Sequence, residues 1–184
     1  MEDYIRNKYN NFKFISSTTK CLSDIKMSKE ELNKNYYLVC LDYNLNKNIE
    51  YLDSLSQQEK EKCELLVNAI CAPNCPSRKE HYKMNGLYSL NYRKPYQISE
   101  CLITESTVHP VCLNSTNNLT PEEIYTTYLK KGFSHFKLEG RSLSDMEVLL
   151  NYIRYMIKPE WQFETINNLT HMLNTSYKGI GLNC

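Results

Sequence analysis

His135-Phe136-Lys137-Leu138-Glu139-Gly140-Arg141, followed at once by an amphipathic stretch up to Pro159, is the segment from which the fold can be read. In an extended strand alternate side chains point the same way. Lys137, Glu139 and Arg141 therefore share one face, and Phe136 and Leu138 share the other. A polar cluster at the end of a strand that leads into a helix is where α/β proteins place their chemistry. The helix that follows is marked by Ser144 and Glu147 at capping-box spacing and by Met146, Leu149, Leu150, Ile153 and Ile157 at helical spacing.

Working back from this strand, Thr120-Pro121-Glu122-Glu123 has the signature of a helix start, with Thr as cap and Pro in the first turn, and Gly132 closes that helix. Further upstream, residues 12–17, 36–43 and 64–69 read as strands. Helical patterns lie between them, one opened by Ser28 and Glu31 and one over residues 48–62. Strands alternating with helices imply parallel strands covered by helices. Only four such strands can be counted, whereas a full barrel needs eight and about 250 residues. The expectation is an α/β fold of parallel β-α units in a single domain over residues 1–184, either half of a TIM-type barrel or an open sheet. Residues 70–119 form a long irregular insertion holding Cys71, Cys75, Cys101 and Cys112, and residues 160–184 form a helical tail. Exposed sheet edges would then be covered by the insertion, by the tail, by another copy or by a complementary subunit.

The chain has 184 residues, 41% hydrophobic, which is enough for a real core. Its 22 basic and 21 acidic residues leave a net charge of +1, so no global field calls for nucleic acid or membrane. No apolar run is long enough to span a bilayer, and the first residues lack a secretory pattern. A cytoplasmic protein with reduced thiols is expected. The glycosylation acceptor patterns at Asn114, Asn118, Asn168 and Asn174 are attributed to the abundance of asparagine.

The segment from Phe136 to Arg141 and its flanking helices resembles the C-terminal part of the collagenase-like peptidase family, U-thirty-two. There a Lys-Ile-Glu-Gly-Arg signature closes a strand of a barrel-like domain, and a helix like Leu119 to Gly132 comes before it. The convincing match covers about residues 119–159. The resemblance implies an iron-sulfur protein that modifies RNA bases or small precursors; the chain departs from the family pattern in length, N-terminal strands and cysteine spacing.

Four thiols in one insertion, Cys71, Cys75, Cys101 and Cys112, suit an iron-sulfur cluster or a structural zinc, with His81 and His109 as substitute ligands. The other reading is four cysteines packed under a loop, with no cofactor. Iron-sulfur is favoured by the resemblance and by the need of so long a loop for an organising centre.

At the strand end, Lys137 and Arg141 would hold an anionic group and Glu139 would act as acid-base or orienting residue. Against this stands a buried ion pair that only stabilises the sheet. Asp42, Asn44 and Asn68, near the ends of the second and third strands, would join the same rim or cap turns. Arg78, Lys79, Lys83, Arg93 and Lys94, interleaved with Tyr82, Tyr92 and Tyr96, mix cations and aromatics as RNA-binding segments do, or form a solvated loop. The functional expectations are an iron-sulfur-dependent modifying enzyme or one subunit of it, a non-catalytic metal-stabilised module that pairs with a partner or with itself, and a metal-dependent peptidase.

Overall fold

The computed structural model describes residues 2–90, 117–140 and 144–179. Cys101, Cys112, His109, Tyr92, Arg93, Lys94, Tyr96 and Arg141 lie outside the described residues. The chain forms two compact units, one ending at Glu139 and one beginning at Gly140.

The first unit carries α1 (Glu2–Lys8), β1 (Ile15–Ser16), α2 (Ile25–Leu32), β2 (Leu38–Cys40), α3 (Ile49–Asp53), α4 (Gln57–Lys62), β3 (Cys63–Leu66), α5 (Arg78–Ser89), α6 (Pro121–Glu123) and β4 (His135–Lys137). The four strands pair in the order β1-β2-β3-β4, every pair parallel. This is an α/β fold with a wholly parallel sheet.

Register and alternation sort the sheet's two faces. Ser16 is opposite Val39, Val39 opposite Cys63, and Leu65 opposite Phe136. Ser16 donates to Glu31 of α2 at 2.5 Å, so this row marks the face that helices cover. Val39, Cys63 and Leu65 on it are at most 3% exposed, and Leu32 and Leu52 of the helices are as deeply buried. Burying each such leucine contributes about 1.5–3 kcal/mol. Cys40, Glu64 and His135 are in register on the other face, as are Leu66 and Lys137.

Local chemistry sets the element boundaries. Asp24, not Ser28, caps α2 by accepting from the Met27 amide, so the helix starts earlier than the Ser28 capping box implies. Ser28 instead shares a hydrogen bond with the Tyr51 hydroxyl, and Glu31 collects Ser16, Lys20 and Lys34. The expected helix over residues 48–62 divides in two, because Asn48 caps α3 while Ser56 and Glu59 form a capping box that opens α4. Thr120 and Glu123 make the expected capping box. The helix then widens into a π-helical turn, Ile124–Tyr128, which seats the Tyr128 hydroxyl on the Asn46 carbonyl at 2.7 Å. Gly132 ends this segment at φ +95°, and a Cβ there would lie 2.7 Å from the Gln57 side chain.

The second unit holds α7 (Asp145–Met156) and α8 (Pro159–Gly179). Ser144 and Glu147 close the expected capping box on α7. Pro159 ends one helical pattern and begins the next, since proline fits the first turn of a helix. Gln162 of α8 donates to the Arg154 and Ile157 carbonyls, satisfying the last turn of α7. Among the described residues no helix is long and apolar enough to cross a membrane.

Candidate functional site

Parallel strands in register carry the residues just past their C-terminal ends to a common rim. Asp42, Asn68 and Glu139 reach that rim from β2, β3 and β4, and the insertion begins there.

Asp42 is wholly buried and accepts from the Asn44 amide, which turns the chain out of β2. Its other oxygen meets Arg78 Nη1 at 2.6 Å, and the Arg78 side chain is only 5% exposed. Arg78 Nη2 donates to the carbonyl and hydroxyl of Thr18 at 2.9 and 3.0 Å. The guanidinium carbon lies 3.9 Å from the centre of the Tyr43 ring and 5.4 Å from that of Tyr82. Burial opposes the charge, but the Tyr82 hydrogen bond and the Asp42 carboxylate outweigh it and raise the Arg78 pKa further. Arg78 thus fastens α5 to the chain leaving β1 and β2. Helical spacing puts Arg78 and Tyr82 on the inner side of α5 and leaves Lys79 and Lys83 exposed.

Asn68 prolongs the pairing of β3 with β4 by side-chain chemistry. Its amide nitrogen donates to the Glu139 carbonyl at 2.9 Å, and its oxygen accepts from the Glu139 amide at 2.6 Å. The Glu139 carboxylate in turn accepts from the Ile70 amide at 3.3 Å. Lys137 stands on the face opposite the helices, 3.4 Å from the Glu64 carboxylate, with 43% of its side chain exposed. Exposed pairs of this kind contribute about 0–1 kcal/mol, so this ammonium is weakly held.

The insertion opens with a tight turn, in which the Cys75 amide donates to the Ala72 carbonyl at 3.3 Å. Burial pushes the pKa of the Cys71 thiol up to about 11. Cys71 packs against Cys40, Tyr43, Leu66 and Ala69. The turn is pinned at Asn74, whose φ of +52° asparagine tolerates and whose amide donates to Asn44 Oδ1 at 3.0 Å. Asn44 Oδ1 also accepts from Asn117 at 2.7 Å, tying both ends of the insertion to one side chain. Neither Cys71 nor Cys75 is assigned to a disulfide. Among the described residues no three or more His, Cys, Asp or Glu side chains are grouped so as to hold a metal ion.

No protein-family model, curated protein or solved structure matches the chain. The site therefore stands on its own geometry. Asp42, Asn68 and Glu139 share the rim and are held by hydrogen bonds there, Cys71 and Cys75 lie in one turn at its edge, and Lys137 lies on the open face. Tyr43, Glu64 and Thr18 belong to the same surroundings and were not singled out by sequence. Tyr43 reads as one more apolar strand residue, although Arg78 and Tyr82 at helical spacing hint that an aromatic and an acid must meet them.

Proposed function

We propose that this chain is an iron-sulfur-dependent modifying enzyme, or one subunit of such an enzyme, acting on RNA or a small anionic metabolite. Cys71 and Cys75, with Cys101 and Cys112, would hold the cluster, which would supply electron transfer or Lewis acidity at the rim. Lys137 and Arg141 would bind the anionic group, and Glu139 would orient it or exchange a proton. The carrying observation is the turn that holds Cys71 and Cys75, pinned at Asn74 by Asn44, beside the C-terminal ends of a parallel sheet. Two cysteines in one pinned turn suit a soft, thiolate-preferring metal, and zinc is the alternative.

The strand order supports half of a TIM-type barrel. A sequential order β1-β2-β3-β4 with right-handed crossovers puts the connections on one face, as in barrels, whereas doubly wound sheets reverse direction. Glu64 and Lys137 would then line the barrel interior. The likeness of residues 136–141 to the collagenase-like peptidases adds to this reading, with the insertion as a cysteine-rich cap on the rim. Protein prepared without oxygen is expected to be coloured and to lose its visible absorbance on Cys71→Ser or Cys75→Ser. A colourless chain, indifferent to both substitutions, defeats the proposal.

A non-catalytic module that completes its sheet with a partner or a second copy is favoured by one observation. β4, at the end of the described strand order, has all three residues only half-buried. Light scattering tests this second reading: a second copy completing the sheet predicts a stable dimer, and a chain that stays monomeric at all concentrations and needs no other subunit contradicts it.

A further inference from the structure

We infer that the aromatic and basic surface formed by α1, the chain entering β1 and Tyr37 binds single-stranded nucleic acid, with bases stacked on its exposed rings and phosphates on Lys8 and Lys13. This goes beyond the proposed function, because the surface lies at the opposite end of the strands from the rim and needs no metal.

Four large rings stand open to solvent: Tyr4 is 63% exposed, Phe12 61%, Tyr37 50% and Tyr9 41%. They are linked to one another. Tyr9 meets Phe12 edge to face with 5.5 Å between ring centres, and the Lys8 ammonium lies 5.6 Å from the Tyr4 ring and 5.5 Å from the Tyr9 ring. Tyr37 joins through its amide, which donates to the Phe14 carbonyl at 2.7 Å, and Lys13 stands 4.1 Å over its ring. Phe12 leads into β1 and Tyr37 into β2, so the parallel strands carry both to the N-terminal end of the sheet. The platform is also fastened. The Tyr36 hydroxyl donates to Glu2 at 2.7 Å, and the Arg6 guanidinium lies 4.3 Å over Phe14 and 4.8 Å over Tyr36, which ties α1 to the entry of both strands. Rings already held in place lower the entropic cost of binding.

Charge selects the ligand. Arg6 is paired with Glu2, and Lys20 and Lys34 with Glu31. Lys8 and Lys13 are exposed and have no carboxylate partner among the described residues. Unpaired ammonium groups set among open ring faces fit a polyanion that carries flat bases between its charges. A duplex hides its base faces, so the strand must be single. A lipid surface would draw the ammonium groups past the rings to headgroup level, whereas here they lie across ring faces.

Fluorescence anisotropy of the full chain with a labelled oligouridine of about 12 nucleotides tests this. Phe12→Ser and Tyr9→Ser are each expected to weaken binding roughly tenfold. The double variant Lys8→Gln, Lys13→Gln is expected to lower the slope of log affinity against log salt by about 1.4, a readout that does not depend on how the ring variants fold. An oligothymidine of the same length should bind alike, and a duplex far more weakly. Lys79→Gln with Lys83→Gln, on the exposed side of α5, should change nothing. A native chain that does not hold the strand, or holds the duplex equally well, overturns the inference, as does binding that survives Phe12→Ser and is lost in the α5 variant. So does sedimentation with vesicles of phosphatidylserine and phosphatidylcholine that Phe12→Ser abolishes, in a chain that holds no strand. Iron content separates the two proposals: a chain with iron that leaves the strand free keeps the cluster and loses this surface, and a chain without iron that binds the strand does the reverse.

Discussion

Replacing Arg78 by methionine is expected to cost about 3–5 kcal/mol, because it removes the cation from a carboxylate with no solvent contact. Methionine retains much of the packing on Tyr43 but none of the donors that reach Asp42 and Thr18. The Asn44 amide remains as partner for Asp42, which keeps the cost within that range. Asp42→Asn preserves shape and the turn beyond β2 but leaves the guanidinium on Thr18 and the rings alone, for an expected ~2–4 kcal/mol. The double variant has no uncompensated buried charge, so its destabilisation should fall short of the sum of the single ones by about 2–3 kcal/mol. Urea unfolding followed by circular dichroism, with equal slopes for all four proteins, gives these values. High salt should hardly alter the coupling, since buried pairs are poorly screened. Two single variants that each cost under about 1 kcal/mol, and add, would refute the reasoning and return Arg78 to the exposed basic surface expected from sequence.

Glu31 gives a pH signature. Burial raises its carboxyl, but hydrogen bonds from Lys20, Lys34 and Ser16 prevail and bring its pKa to about 2, from an ordinary 4.5. A carboxylate lowered on folding stabilises above its unfolded pKa and loses that stabilisation as pH falls through its folded one. Glu31→Gln should therefore flatten the stability profile between about pH 5 and 2, removing at most about 3 kcal/mol at neutral pH. An unchanged acid limb in urea titrations contradicts this. Asn68→Ala should cost ~1–3 kcal/mol and speed amide exchange at Glu139, whose amide loses its acceptor. Leu65→Ala, at the centre of the helix-covered face, should cost ~2–5 kcal/mol, and a loss below 1 kcal/mol would mean that this face is not the core.

Strand existence and direction were legible from periodicity: four apolar segments separated by helical patterns become four parallel strands. The strands are shorter than their apolar runs, because Leu41 and Val67 are buried beyond the last ladder pairs and burial alone does not reveal where pairing stops. Helix α1 was not legible, since no buried residue imposes a period on it; Glu2 holds Arg6 one turn later, and Tyr36 binds Glu2 from afar. The rim was legible in its composition but not in its bonding. That Asp42 and Asn68 stand at strand ends follows from strand length, whereas the meeting of Asp42 with Arg78 needs a turn and a helix between them, and the helical spacing of Arg78 and Tyr82 does not say which acid they meet.

Iron and acid-labile sulfide counted per chain, in protein isolated without oxygen, test the central claim most directly. The account predicts both in stoichiometric amount in the native chain and their loss in Cys71→Ser and Cys75→Ser. A native chain free of iron and sulfide that unfolds at the same urea concentration as those two variants would contradict it.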